Sequence, residues 1–264
     1  MAESKGGGFE FGTIAGLLIG IGAIFGSFIL EGGTLGALIL IPAMVIVFGG
    51  TIATALIGAS KDIFLKLPKF FMLACFPPKF SAEGTIETVV DYSTISRKGG
   101  LLALESGLGD ITNPFLKKML GLAVDGTSPE VIREIAEIEM SYITERHNAN
   151  ASVFGKMGGY SPTMGIIGTV MGLIKTLANA GEDSTMLIKH IASAFIATLW
   201  GVFMANVIWL PIADRLKSIH AEEKLSLEII IEGVLAIQAG ESPSLTRIKL
   251  YSMLPASKQV IEER

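Results

Sequence analysis

Two uncharged apolar runs lie close together near the start of the chain, at residues 11–30 and 35–58. As a helix, a run of 20 residues rises about 30 Å, which equals the thickness of the hydrocarbon core of a bilayer. The short link between the runs contains Gly32 and Gly33, which allow the chain to reverse its direction. The sequence therefore predicts a transmembrane hairpin with spans at 11–30 and 35–58.

A second pair of apolar segments is predicted to span the membrane at 157–177 and 186–212, joined by a short acidic link. The composition agrees, because 50% of the residues are hydrophobic and 17% are charged, whereas soluble domains carry about 25% charged residues. We predict an all-α membrane protein with four transmembrane helices in two hairpins plus a helical cytoplasmic domain. The predicted division is an N-terminal hairpin at 1–58, a cytoplasmic domain at 59–156, a second hairpin at 157–212 and a helical cytoplasmic tail at 213–264.

The orientation in the membrane follows from the basic residues near the ends of the spans. Lysines and arginines follow spans two and four and precede span three, whereas the short links carry only Lys175 and Lys189 at the edges of the second one. Cytoplasmic loops of membrane proteins carry an excess of such residues. We therefore predict a multi-pass protein with the large loop and both termini in the cytoplasm.

Start and stop signals predict four helices in the cytoplasmic part. Ser81 is the expected cap of a helix that runs to about Leu108, and Asn113 precedes a proline that is favoured in the first turn of the next helix. Ser128-Pro129 begins a third helix, whose apolar residues recur at helical spacing toward span three. After the fourth span, 221–239 is predicted to be helical.

The sequence contains no known catalytic or phosphate-binding motif, and we predict a protein that is not an enzyme and has no cofactor or metal. The three histidines are not at metal-ligand spacing, and the net charge of −4 argues against a nucleic-acid partner. No charged residue lies in the middle of a predicted span, although ion paths normally use such a group. Either a partner chain supplies the titrating group or the protein conducts no ions.

Small and hydroxyl residues form a stripe along each of the last two spans. They recur at steps of three and four residues, at Ser161, Gly165, Gly168, Gly172 and Thr176 in span three and at Ala194, Thr198, Gly201 and Ala205 in span four. Such a pattern is typical of close helix packing in membranes. Two prolines, Pro162 and Pro211, each remove a backbone donor, and they either mark helix ends or act as hinges.

Several motifs resemble those of the MotA/PomA family of flagellar stator subunits. They are SPTMGIIGTVMGL at 161–173, AFIATLWG at 194–201, WLPIADRLK at 209–217, SRKGGLLALE at 96–105 and IEGVLAIQAGESP at 231–243. The resemblance covers nearly the whole chain. The related TolQ/ExbB subunits share the two ion-path helices but resemble three-span proteins. A TolQ/ExbB-like energiser of another envelope machine is the alternative function, and a passive membrane scaffold is a third.

The resemblance implies a ring of five subunits in the bacterial inner membrane, surrounded by lipid and built around a dimer of a MotB-type partner. That partner carries the ion-binding Asp and anchors to peptidoglycan, and ion flow drives torque on the rotor. Thr169 and Thr198 match the hydroxyl positions that face the ion path. Protons are the expected ion, and sodium is the alternative because Thr169 resembles the sodium-type members.

The resemblance also assigns roles to two other groups of residues. Pro162 and Pro211 would couple ion binding to movement of the cytoplasmic domain. Arg97, Lys98 and Glu105 match the charged positions that contact the rotor protein FliG. Without the resemblance, these three charges are ordinary for an exposed helix.

Overall fold

The computed structural model describes residues 11–178 and 184–259, which form helices and turns without any strand. They divide into two compact units, which we call the membrane unit, within 8–77 and 147–218, and the head unit, within 78–146 and 219–264. The helices are α1 Phe11–Leu30, α2 Ile41–Gly58, α3 Lys61–Phe64, α4 Leu67–Cys75, α5 Ala82–Gly99, α6 Pro114–Val124, α7 Pro129–Ala178, α8 Ser184–Phe203, α9 Leu210–Gln238 and α10 Pro243–Tyr251.

The structure confirms the all-α membrane protein expected from the sequence. Helices α1 and α2 and part of the stretch His190–Gln238 are long and apolar enough to cross a membrane. The predicted third span at 157–177 does not meet the same criterion, because its glycines, its Ser and Thr residues and Lys175 lower its mean hydropathy. This segment is the C-terminal part of α7, a helix of 50 residues.

The start of the second span differs from the prediction of residue 35. Leu35–Leu38 forms a separate 3-10 turn, and α2 begins at Ile41 with Pro42 in its first turn. Proline is favoured there because its missing N–H has no intrahelical partner at a helix start. Within α2, the backbone widens to a π turn at Val45–Gly49.

The starts of the head helices agree with their capping residues. The Ser81 hydroxyl accepts a hydrogen bond from the backbone N–H of Gly84 at 3.0 Å. The Asn113 side chain accepts from the N–H groups of Phe115 and Leu116, and α7 begins at Pro129 as predicted. Side-chain acceptors at these positions satisfy N–H groups that have no partner within the helix.

Two helix boundaries in the head differ from the prediction. The helix after Ser81 ends at Gly99 rather than near Leu108, because Gly100 adopts a φ of 75° and a 3-10 turn, Leu101–Asp110, follows. Only glycine adopts such a φ without steric cost. The helix predicted at 221–239 has no separate start, since α9 already begins at Leu210.

One hydrophobic core holds the head unit together. Its fully buried side chains include Ile86 and Val89 of α5, Met119 and Leu120 of α6, Ile132 of α7, Ile229 and Ile230 of α9, and Leu250 of α10. Each side chain of this size contributes about 1.5–3 kcal/mol when it is buried. The predicted loop domain and C-terminal tail therefore share one core and form a single unit.

Helix α1 has the opposite character, since none of its residues is buried. Leu18 is 65% exposed and Ile19 is 70% exposed. An uncharged helix with apolar side chains on every face is stable in lipid or against another protein rather than in water.

Candidate functional site

Thr169 on α7 and Thr198 on α8 meet between the two helices, with their hydroxyl oxygens 2.5 Å apart. The Thr169 hydroxyl oxygen also lies 3.1 Å from the carbonyl oxygen of Gly165 and 3.0 Å from that of Ala194. A hydroxyl has one proton to donate, so it satisfies only one of these carbonyls at a time. The half-buried cluster of four oxygens suits water or a hard cation, which prefers oxygen ligands.

The stripe of small residues is the surface along which α7 and α8 touch. A Cβ atom added at Gly165 would lie 2.8 Å from the carbonyl oxygen of Ala197 and 3.0 Å from the Cα of Thr198. A Cβ atom at Gly201 would lie 2.6 Å from the carbonyl oxygen of Ser161. The helices therefore approach each other backbone to backbone, which confirms the packing interpretation at these glycines.

Both prolines lie inside continuous helical backbone. Pro162 is within α7, and Pro211 is the second residue of α9, directly after a π turn at Met204–Trp209 that follows α8 without a break. This excludes the interpretation that they mark helix ends. Proline lacks an N–H and crowds the carbonyl of the fourth residue before it, so each position is a weak point of its helix. Their role as hinges stays a prediction.

Pro211 also borders an open groove of about 320 Å³ beside α1. The groove is lined by Gly12, Thr13, Gly16, Leu17 and Gly20 of α1 and by Asn206, Val207, Pro211, Ile212 and Arg215. The glycines of α1 present no side chains toward this space. A bend of the helix at Pro211 would therefore have room on this side.

Two side chains that were not predicted from the sequence hold the ends of α2 in place. The Trp200 indole N–H donates to the carbonyl of Leu38 at 2.8 Å, just before α2 begins. The Lys156 ammonium donates to the carbonyl of Gly58, the last residue of α2, at 3.0 Å. Both bonds link residues that are far apart in the chain, so no local pattern predicts them.

The three predicted rotor-binding residues are exposed on the head unit. They do not share one helix, because Arg97 and Lys98 lie at the end of α5 and Glu105 lies in the 3-10 turn beyond Gly100. The side chains of Lys98 and Glu105 form no hydrogen bond or ion pair with any other described residue. Arg97 Nη1 donates to the carbonyl of Gly240 at 3.1 Å, which joins α5 to the end of α9.

A second contact between α5 and the C-terminal part of the head is centred on Glu87. Both carboxylate oxygens of Glu87 accept from the Arg247 guanidinium at 2.7 Å, and one of them also accepts from the Tyr251 hydroxyl at 2.9 Å. The hydrogen bond to Glu87, followed by burial, raises the pKa of Tyr251. The network holds α10 against α5, and no local sequence pattern predicts it because it joins residues about 160 positions apart.

Comparison with known proteins agrees with this architecture. The MotA/TolQ/ExbB proton channel family matches residues 108–229, and the motility protein A N-terminal family matches residues 14–99. Motility protein A of Bacillus subtilis is 35% identical over 253 residues, which cover 94% of this chain and 92% of the relative. Chemotaxis protein PomA of Vibrio alginolyticus is 32% identical over 253 residues, with 96% and 98% of the two chains covered.

A solved structure of the flagellar MotAB stator complex from Bacillus subtilis has the same fold. Its matching chain is 34% identical to this one, with a TM-score of 0.88 and with 95% of this chain and 98% of that chain covered. The match extends over both the membrane unit and the head unit. The chain therefore belongs to the motility protein A group of the MotA/TolQ/ExbB proton channel family.

Proposed function

We propose that the chain is the ion-conducting and torque-generating subunit of a flagellar stator. The observation that carries this proposal is the oxygen cluster at Thr169 and Thr198, between two helices with no charged residue in the middle of either predicted span. Such a cluster orients water or an ion but has no group that binds and releases a proton near neutral pH. A complete path therefore needs an acidic group from another chain.

A MotB-type partner is the proposed source of that acid. The relative from Bacillus subtilis belongs to a MotAB stator complex, which supports a two-component assembly here. In this proposal five copies of the chain surround a partner dimer in the inner membrane, with both termini in the cytoplasm. The exposed apolar side chains of α7 and α8, such as Ile166, Ile174 and Phe195, support an assembly in which lipid or other subunits cover them.

The head unit is the proposed contact for the rotor protein FliG. Lys98 and Glu105 are exposed and carry opposite charges, and Leu102 between them is 72% exposed. Protein interfaces place apolar residues inside a polar rim, and an exposed leucine between two charged residues fits that arrangement. The role of the chain in this contact is mechanical, with no chemical step of its own.

The TolQ/ExbB-like alternative has less support. The family match at 108–229 is shared with TolQ and ExbB proteins, but the match at 14–99 is to the N-terminal part of motility protein A. That part contains the first hairpin, which α1 and α2 form. The first hairpin therefore favours the flagellar assignment.

Co-expression with a MotB-type partner in a stator-deleted bacterium tests the proposal. We expect swimming to return, to persist without sodium and to stop when a protonophore is added, because protons are the proposed ion. A Thr169→Val variant keeps the side-chain volume but removes one oxygen of the cluster, and a partner Asp→Asn variant removes the proton-binding group. Both are expected to reduce swimming while the complex still assembles.

The controls separate the parts of the proposal. If swimming depends on sodium, the stator function stands and sodium replaces the proton as the transported ion. An assembled complex that never restores swimming would contradict the flagellar assignment and favour an energiser of another envelope machine. A Thr163→Val variant is the matched control, because Thr163 lies on the same helix and its hydroxyl bonds, among the described residues, only to the carbonyl of Tyr160.

A further inference from the structure

Helices α5, α9 and α10 meet at Gly233, in the core of the head unit. Gly233 is buried, and a Cβ atom added there would overlap with Cγ1 of Val89 on α5 and would lie 3.3 Å from Cδ1 of Leu250 on α10. Val89 and Leu250 are both completely buried. The absence of a side chain at Gly233 therefore sets how closely α5 packs against α9.

Two of the helices that meet at Gly233, α5 and α9, carry residues of the proposed mechanism. Helix α9 is one continuous helix that contains Pro211 near its start and Gly233 near its end. Helix α5 ends with Arg97 and Lys98, which belong to the proposed rotor contact. A displacement of the last turns of α9 is thus passed to α5 directly through the contact at Gly233.

Two polar contacts fix α5 in the same position from either side of Gly233. Arg97 donates to the carbonyl of Gly240 just beyond the end of α9. Nearer the start of α5, Glu87 accepts from Arg247 and Tyr251 of α10. A movement of α5 relative to the end of α9 therefore strains the Arg97 bond, and a movement of α5 relative to α10 strains the Glu87 contacts.

We propose that Gly233 is a positioning residue of the motor, which holds the rotor-facing end of α5 in a fixed place on α9. The inference rests on the proposed function, since it names the contact through which movement reaches the rotor surface. A side chain at residue 233 would push α5 away from α9. Arg97 and Lys98 would then face the rotor from a different position and at a different angle. The proposed ion path contains none of these residues.

The test uses the full chain together with its MotB-type partner. Gly233→Ala is expected to lose most of the torque on tethered cells, while the amount of complex in the membrane and its proton flux stay at the level of the unmodified complex. Gly121→Ala in α6 is the matched control, because it is also a helical glycine of the head and a Cβ there has nothing within 4 Å. It gains the same helix propensity without a steric conflict and should keep its torque.

A second variant tests the steric cause. Val89→Ala removes the Cγ1 atom that the new methyl group would meet, so the double variant Gly233→Ala with Val89→Ala is expected to recover torque relative to Gly233→Ala alone. Recovery would show that the contact with Val89 causes the loss of torque. The unchanged amount of complex and proton flux in Gly233→Ala then separate positioning from a loss of stability, which the double variant would also repair. A double variant whose torque stays at or below that of Gly233→Ala would overturn the inference.

The remaining outcomes are also decisive. Normal torque in Gly233→Ala would overturn the inference, and so would a parallel fall of torque, proton flux and membrane-bound complex, which would assign Gly233 to folding. A failure of the unmodified complex to drive swimming would refute the proposed function and the inference with it. An unmodified complex that swims beside an equally motile Gly233→Ala variant would refute the inference alone.

Discussion

Replacing Gly201 by Ala should separate α7 from α8 and destabilise the membrane unit. The new Cβ would lie 2.6 Å from the Ser161 carbonyl oxygen, and ordinary contact begins at 3.4 Å, so the helices must part locally by about 0.8 Å. The obstructing atom belongs to the backbone and cannot rotate away. Overpacking of this kind costs about 1–3 kcal/mol, and the hydrogen bond between Thr169 and Thr198, now 2.5 Å long, is weakened at the cost of up to about 1 kcal/mol. We expect a loss of about 1–4 kcal/mol in the free energy of unfolding.

Thermal unfolding of the purified complex in detergent measures this effect. A loss of this size corresponds to a fall in Tm on the order of 5 °C for a chain of this length. Gly155→Ala is the matched control, because Gly155 lies on α7 and a Cβ there has nothing within 4 Å. Equal Tm values for the two variants would refute the reasoning that backbone contact at Gly201 limits the distance between the helices.

Three further predictions concern the head unit and the hinge. Arg97→Gln should lower the Tm of the complex slightly, because it removes one exposed hydrogen bond worth about 0.5–1.5 kcal/mol. Lys98→Gln should leave the Tm unchanged, because the Lys98 side chain bonds to no described residue. Equal shifts of Tm in the two variants would contradict this prediction. The pKa of Tyr251 is raised mainly by its hydrogen bond to Glu87, so its protonated form stabilises the fold at pH values below about 10, and this contribution is lost as the pH rises through the raised pKa. Tyr251→Phe should therefore flatten the fall of Tm with pH in the alkaline range, and an unchanged profile would exclude this residue as its cause. Pro162→Ala restores a backbone donor inside α7 and should reduce torque per unit of proton flux, measured together in the same cells; an unchanged ratio would contradict the hinge.

The helix starts in the head were predictable because their signals are local. Ser81 and Asn113 accept hydrogen bonds from N–H groups within three residues of themselves. The short sequence pattern around each residue is therefore enough to predict the bond. The end of α5 carries a local signal as well, because Gly100 directly follows the last helical residue and glycine is favoured there for its access to positive φ. The prediction of a helix to about Leu108 allowed Gly99 and Gly100 inside it, since a glycine within a helix costs only about 1 kcal/mol.

At the candidate site, too, the features that depend on neighbouring residues could be predicted and those that depend on distant residues could not. Helical spacing places Thr198 on the small-residue stripe of span four and Thr169 directly beside the stripe of span three. Helical spacing does not predict how far one helix is shifted along the other, and this shift determines whether the two hydroxyls come into contact. Likewise, the exposure of Arg97 follows from its polarity, but its bond to Gly240 joins residues 143 positions apart and depends on the packing of α5 against α9.

The π turn at Met204–Trp209 has a consequence for the spacing of the sequence. A π turn holds one residue more than the α-helical path that it replaces, and each residue of an α-helix turns the following chain by about 100°. The π turn therefore absorbs one residue without the rotation that an insertion would impose on a regular helix, and the side chains of α9 beyond it keep their directions. Deleting one residue between 204 and 209 would relax this segment into a regular α-helix with the rest of α9 still facing its neighbours, whereas a deletion later in α9 would rotate the following residues by more than a quarter turn. The π turn is thus the place where this helix can lose one residue at the least cost.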